Sequence, residues 1–444
     1  LLNRLDLRGL DPSTDLTGAL PRPDIVGEGP RAAVREIIAE VRLRGDAALR
    51  ELTSRFDGVD LDRVEVPSDS LGAAVDGLDR GLRAAMEAAA EGIERFHAHQ
   101  VRPPQRIESE GMTIVASQRP VRRAGLYVPG GRAEYPSTVL MTAVPARVAG
   151  VGELVLCVPP SAGHGGIAPS VLAAARLAGV DRVFAVGGAQ AIAAMAYGTE
   201  SVPAVDVIAG PGNVYVAMAK QEVAGAVGIA AAFAGPSEVV VVADDSTPPD
   251  YAAIDVILQA EHGPDGLAWL VTWDEAVADA VCAAGDRLLA DAPRAADVRS
   301  TLAQGGYVAI VDGPDQALAV VDAIAPEHLE LQCRQAEALA ARVENAGAIF
   351  CGPWSPASLG DYVAGPSHVL PTFGSARFAS ALTVADFVKD HHVITVEPAG
   401  LSRLGPHVEA LATQEGLPAH AQSVRLRLEG LAGGAAGVDP GAGR

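Results

Sequence analysis

From Leu154 to Gly352, short and almost unbroken apolar runs alternate with alanine-rich helical segments, and this alternation restricts the fold more than any other feature. LVLCV (Leu154–Val158) precedes IAPSVLAAARLAG, VFAV (Val183–Val186) precedes AQAIAAMAYG, and VDVIAG (Val205–Gly210) precedes VYVAMAKQEVAG. A second series runs EVVVVA (Glu238–Ala243) then YAAIDVILQAEHG, LAWLVT then EAVADAVCAAGDRLLA, YVAIV then QALAVVDAIAPEHLEL, and finally GAIFCG. Strands without polar alternation are buried on both faces, as in parallel sheets covered by crossover helices. The expected fold is α/β: two doubly wound, incomplete Rossmann-like parallel-sheet domains with helical N- and C-terminal extensions.

Length agrees, since 444 residues is about three times the ~150-residue norm for one domain. RAAVREIIAEVRLRG and LDRGLRAAMEAAAEGIERFHAHQ repeat apolar residues at three- and four-residue spacing, so residues 1–110 read as a helical segment packing on the core. Residues 111–235 and 236–385 read as the two α/β domains, dividing near Ala234–Pro236, and 386–430 as a helical arm. The tail at 431–444 has too little apolar bulk to fold and is expected to be disordered.

Charge and composition remove whole classes of function. Lys+Arg 34 against Asp+Glu 55 leaves a net charge of −21, which phosphate backbones and anionic lipid repel, so neither nucleic acid nor a membrane is an expected partner. The most apolar window, Val223–Gly235, falls short of the ~20 residues that span a bilayer, and Arg4, Asp6 and Arg8 interrupt any apolar signal core. Four scattered cysteines (Cys157, Cys282, Cys333, Cys351) form no metal or disulfide spacing and fit a reducing, cytoplasmic setting.

Doubly wound sheets often bind nucleotides, yet the fingerprints fail. Gly210-Pro211-Gly212 follows a strand and precedes a helix, but Tyr215 stands where the third glycine of G-x-G-x-x-G would fall. Gly130-Gly131, Gly187-Gly188 and Gly210/Gly212 still lie at strand ends, where open N–H groups and helix N-termini can take a pyrophosphate; plain tight turns explain them equally well.

Two groups carry chemistry. Gln259 and His262 are three apart on a helix and share a face, at what should be the carboxyl ends of the strands. Zinc needs more than two ligands, and Asp361 and His420 are candidates to complete a site; a capped helix end beside two unrelated polar residues is the competing explanation. Glu327-His328, at the end of a helical segment, pairs a carboxyl with an imidazole suited to general acid–base work, unless the pair is merely a solvated helix terminus. His97, His99, His164, His391, His392 and His407 have no comparable company.

These segments together resemble the histidinol dehydrogenase family. The likeness lies in GLYVPGG (Gly125–Gly131), YPSTVLMTAVPARVAGV, VGGAQAIAAMAYGTE, DVIAGPGNVYVAMAK, GPSEVVVVAD, LQAEHGPDG, APEHLEL, GDYVAGPSHVLPT and EGLPAHAQSVRLR, in order over residues 25–430. The resemblance implies zinc- and NAD-dependent four-electron oxidation of L-histidinol to L-histidine via histidinal, the last steps of histidine biosynthesis. It implies one zinc per subunit held by Gln259, His262, Asp361 and His420, and an acid–base pair Glu327 and His328. It further implies NAD contacts at Tyr127, Gln190 and Asn213, and substrate contacts at Ser237, Gln259, His262, His328, Asp361, Glu415 and His420. A homodimer with shared active sites is implied too, His420 and Glu415 reaching across on the C-terminal arm. This chain departs from the family pattern at Asp390-His391-His392 and at Ser367, outside those residues.

Two other functions compete. A dehydrogenase of the same fold could act on another small alcohol, such as a sulfonated diol, but an anionic substrate would want a cation where this chain keeps Glu415. A catalytically silent scaffold would be expected to have lost one of Gln259, His262, Glu327, His328, Asp361 or His420, and all are present.

Overall fold

The computed structural model describes residues 1–444 except 11–15, 17, 19, 22–27, 131–132, 231–236, 262–265, 291 and 434–444. The expected division near Ala234–Pro236 and most of the tail lie outside the described residues. The chain forms two units, Leu1–Val101 with Pro120–Phe387, and Arg102–Arg119 with Val388–Arg444.

The first unit opens with strand β1 (Asn3–Asp6) and four helices, Glu28–Arg44, Asp46–Asp57, Ser68–Asp76 and Arg80–Ala98. Gly45, in the left-handed region at φ 53°, separates the first two, where the apolar spacing stops. The second unit begins with β2 (Gln105–Ser109) and β3 (Met112–Pro120), an antiparallel pair. Back in the first unit come β4 (Arg123–Tyr127), β5 (Glu153–Val158), β6 (Arg182–Ala185), β7 (Val207–Ala209) and β8 (Gly228–Ile229). They form a parallel sheet in the order β6-β5-β4-β7-β8.

A second parallel sheet follows from β9 (Glu238–Ala243), β10 (Leu267–Thr272), β11 (Gly306–Ile310), β12 (His328–Gln332) and β13 (Ala348–Cys351), in the order β1-β11-β10-β9-β12-β13. Counted within each half, both sheets run third, second, first, fourth, fifth, the doubly wound order, with a reversal beside β4 and beside β9. The sequence missed that the first residues belong to the second half. β1 pairs in parallel with β11, Asn3 opposite Tyr307 and Asp6 opposite Ile310.

Each sheet is covered on both faces. Leu154, Leu156 and Val158 enter one core of the first half, and Val155 and Cys157 the other. In the second half Val240 and Val242 of β9 face one core and Val239, Val241 and Ala243 the opposite one. Complete burial of such strands explains their lack of polar alternation.

In the second unit, β14 (Val388–Val396) joins β2 and β3 in the order β14-β3-β2, followed by helices Pro398–Gln414 and Pro418–Ala432. Residues 386–430, expected as a helical arm, thus begin with a strand, in keeping with the β-branched run Val393-Ile394-Thr395-Val396. Among the described residues no helix is long and apolar enough to cross a membrane, and all four cysteines are free thiols.

Candidate active site

Helix Pro314–Ile324 ends at Ala325, whose backbone is left-handed (φ 50°) and whose N–H caps the Val321 carbonyl. Pro326 then prevents the helix from continuing, and the chain enters β12 at His328. The sequence placed Glu327 and His328 at a helix end. The helix in fact stops three residues before Glu327, and His328 is a strand residue.

The site also lies at the opposite edge from the one expected. Glu238 and His328 are the first residues of β9 and β12, and His328 is in register with Val239. Gln259 occupies the last turn of helix Pro249–Ala260, which follows β9 and returns antiparallel to it. A residue at the end of a returning helix arrives at the amino-terminal edge of the sheet, so the second half builds its site there and not at the carboxyl ends.

The geometry assigns proton positions. His328 is 2% exposed, and its Nδ1 lies 2.9 Å from the Glu238 carbonyl, to which it donates; Nε2 of the neutral ring then carries the lone pair. That Nε2 is 2.6 Å from Nε2 of His368 and 4.0 Å from Oδ1 of Asp361, while His368 Nε2 and Asp361 Oδ1 are 3.3 Å apart. Glu327, 7% exposed, accepts from the Glu238 N–H at 3.0 Å, is 3.5 Å from His328 Nδ1, and is hydrogen-bonded by the Ser237 hydroxyl. Burial pushes its carboxyl well above the usual range, and the neighbouring Glu238 and Asp361 charges add to the effect. Burial likewise pushes Asp361 up to about 6.

Asp361 is set by helix Ala357–Tyr362. The helix approaches His368 closely because residue 360 is glycine: a Cβ there would lie 2.4 Å from His368 Cε1 and 2.7 Å from Phe350 Cζ.

His328, Asp361 and His368 offer ligand atoms all within 4.8 Å of one another. Two imidazole nitrogens and a carboxylate oxygen, with further carboxyls at Glu238 and Glu327, form a donor set of the kind that takes zinc and favours cationic guests. Gln259 is 1% exposed; His262 lies outside the described residues. His420 and Glu415 are exposed residues of the second unit, His420 in the first turn of Pro418–Ala432 and Glu415 just after Pro398–Gln414.

The sequence reading passed over His368, although it stands seven residues after Asp361 in the same motif. It also passed over Glu238, whose backbone anchors both Glu327 and His328.

Tyr127, Gln190 and Asn213 lie at the carboxyl edge of the first sheet. Tyr127 ends β4, and its hydroxyl accepts from Gly188 N–H at 3.1 Å. Asn213 caps helix Val214–Val223 through Tyr215 and Val216 N–H, and Gln190 is 2% exposed. Gly210 has φ 113°, and a Cβ there would lie 2.0 Å from the Tyr127 carbonyl oxygen. The helix Gly188–Tyr197 starts beside the β4/β7 reversal, the place where a doubly wound sheet and a helix N-terminus can take the phosphates of a dinucleotide.

The comparisons with known proteins agree along nearly the whole chain. The family model described as histidinol dehydrogenase matches residues 21–428. The chain is similar to a histidinol dehydrogenase of Parasynechococcus marenigrum (strain WH8102), 50% identical over 393 residues, covering 88% of this chain and 90% of the relative. It is 48% identical over 440 residues to one of Nocardia farcinica (strain IFM 10152), covering 97% and 98%. Its fold matches the crystal structure of histidinol dehydrogenase from Elizabethkingia anophelis with a TM-score of 0.91 at 35% identity, covering 97% of this chain and 99% of that one. With the family model spanning residues 21–428 and relatives of this identity covering most of the chain, it belongs to the histidinol dehydrogenase family and is an oxidoreductase.

Proposed function

We propose that this chain oxidises L-histidinol to L-histidine through histidinal, using two NAD and one zinc per subunit, in the cytoplasm. The observation that carries the reading is the convergence of Glu327, His328, Asp361 and His368 on one buried cup, in a chain of this family.

Each oxidation requires a hydroxyl proton to leave as hydride departs from the same carbon. His328 is the base: with Nδ1 committed to the Glu238 carbonyl, Nε2 faces the cup with its lone pair. Glu327 serves the second step. Histidinal must add water before it can lose hydride, and a carboxylate destabilised by burial is a stronger base once ionised. Ser237 orients that carboxyl through its hydroxyl.

Zinc would be held by Gln259, His262, Asp361 and His420 and would grip the imidazole and amine of the substrate, acting as a template. His368 would then orient the substrate opposite His328. The close trio of ligand atoms supports a second assignment, in which His368 itself binds the ion beside Asp361. Glu415 would meet the substrate ammonium. NAD would accept hydride, held at the carboxyl edge of the first sheet near Tyr127, Gln190 and Asn213.

A homodimer with shared sites fits exposed apolar residues on each unit, Tyr362 at 58% beside Asp361 and Leu411 at 65%. The decisive assay follows NADH formation by the zinc-loaded protein supplied with L-histidinol. Two NADH per histidinol consumed supports the proposal, one NADH limits it to an alcohol dehydrogenase, and none refutes it.

A further inference from the structure

One repeat behind the cup lies a buried polar cluster that the mechanism does not use. On β12 alternate residues share a face, so His328 is followed on its own side by Glu330 and Gln332. Glu330 is 0% exposed and Gln332 4%. On helix Pro249–Ala260, Asp255 lies one turn before Gln259 on the same face and is 5% exposed. Ala357 opens the helix that carries Asp361 one turn later.

These groups are bonded together. Gln332 Nε2 donates to Asp255 Oδ2 at 2.6 Å and to Glu330 Oε2 at 2.7 Å. Glu330 Oε1 accepts from the Ala357 N–H at 2.8 Å. The Asp255 and Glu330 carboxyls are also hydrogen-bonded to each other, which requires a proton between them. Each of three elements thus serves both: β12 gives His328 to the cup and Glu330 and Gln332 to the cluster, and each of the two helices gives one group to either. The separation is one helical turn (~5.4 Å) or two strand residues (~6.6 Å).

We infer that Glu330, with Asp255 and Gln332, is a positioning residue whose hydrogen bonds set the spacing of the elements carrying Gln259, His328 and Asp361. Packing alone would not need three buried polar side chains here, because Leu329 and Leu331 already seat β12 in the core on the other face. Such a network is worthwhile only if fully connected, and this one fixes distances that apolar contacts leave loose. The inference rests on the proposed roles of Gln259, His328 and Asp361.

The test compares Glu330→Met, which keeps volume but removes the bonds, with Glu330→Gln, whose amide oxygen still accepts from Ala357 and whose amide nitrogen can donate to Asp255 or, with the Gln332 amide turned over, to Gln332 Oε1. Zinc affinity is measured by chelator competition well below the melting temperature, and the visible spectrum of the cobalt-substituted protein reports ligand geometry. Glu330→Met should weaken zinc binding about 10–100-fold, as loss of groups that orient metal ligands does, and shift the cobalt bands. Glu330→Gln should restore both to within about threefold, an outcome that a purely stabilising role does not produce.

Wild-type zinc affinity and cobalt bands in folded Glu330→Met would overturn the inference, as would failure of Glu330→Gln to restore them. If Glu330→Met does not fold, Gln332→Leu, which removes only the bridging amide, is read by the same two measurements. Failure of the wild-type protein itself to bind zinc would instead sink the reading of the cup.

Discussion

His328 and His368 meet nitrogen to nitrogen, their Nε2 atoms 2.6 Å apart, and only one of them can supply the proton between them. Since the Glu238 carbonyl holds a proton on Nδ1 of His328, the donor in the neutral pair is His368. Substrate or cation must displace that hydrogen bond. His328→Asn should lower turnover in both oxidations by about 10²–10⁴-fold, the usual worth of a positioned base, with zinc content unchanged. Measured metal loss in this variant would reassign Nε2 to the ion, and metal loss in His368→Asn would favour the second ligand assignment.

Glu327→Gln should slow oxidation of histidinal more than oxidation of histidinol. Burial holds the Glu327 carboxyl protonated to higher pH than usual, so its base form grows as pH rises. The aldehyde half-reaction of the wild type should therefore climb with pH, and the variant should lose that climb. Stopped-flow traces with each substrate decide it, and equal slowing of both steps contradicts the division of labour.

Gly360→Ala should displace His368 and Phe350, because its methyl has no space between them. The expected cost is about 1–3 kcal/mol of stability, typical of overpacking, with a larger proportional loss of turnover. Thermal unfolding and steady-state rates on the same preparation check both.

Lys220 is 1% exposed and donates to the Gly210 carbonyl at the turn beside the first sheet. Burial lowers its ammonium from 10.5 to about 8. Between those values the unfolded chain binds the proton and the folded chain does not, so this group makes stability rise with pH, by about 1.4 kcal/mol per unit. Below about 8 the contribution is flat and unfavourable. Denaturant titrations of wild type and Lys220→Met should converge in slope below that pH and diverge above it.

Sharing of the site between subunits is open to complementation. Chains carrying Glu327→Gln and His328→Asn, mixed with chains carrying His420→Asn, should regain roughly a quarter of wild-type activity if each site draws on both subunits of a two-fold dimer. No recovery in proven mixed dimers refutes sharing.

The two sheets were legible because Val239 to Val242 and Leu154 to Val158 are apolar without interruption, a pattern only doubly covered strands tolerate. β12 was not. HLELQ alternates polar and apolar residues behind a helical stretch, and the left-handed turn at Ala325, which separates the two, has no glycine to announce it. The edge of the second sheet was misjudged for a related reason: i, i+3 spacing predicts that Gln259 and His262 share a helix face, but not which way that helix runs, nor that it ends at Ala260. His368 was hidden by distance, since only the close packing at Gly360 brings it to His328.

The alternation along β12 ties folding fidelity to chemical competence. Displacing this strand by a single residue would drive Glu330 and Gln332 among the leucines and turn Leu329 and Leu331 toward the reacting groups. A mispaired molecule is penalised twice, by stranded polar atoms and by a lost core. Quality control of the catalyst is written into five consecutive residues.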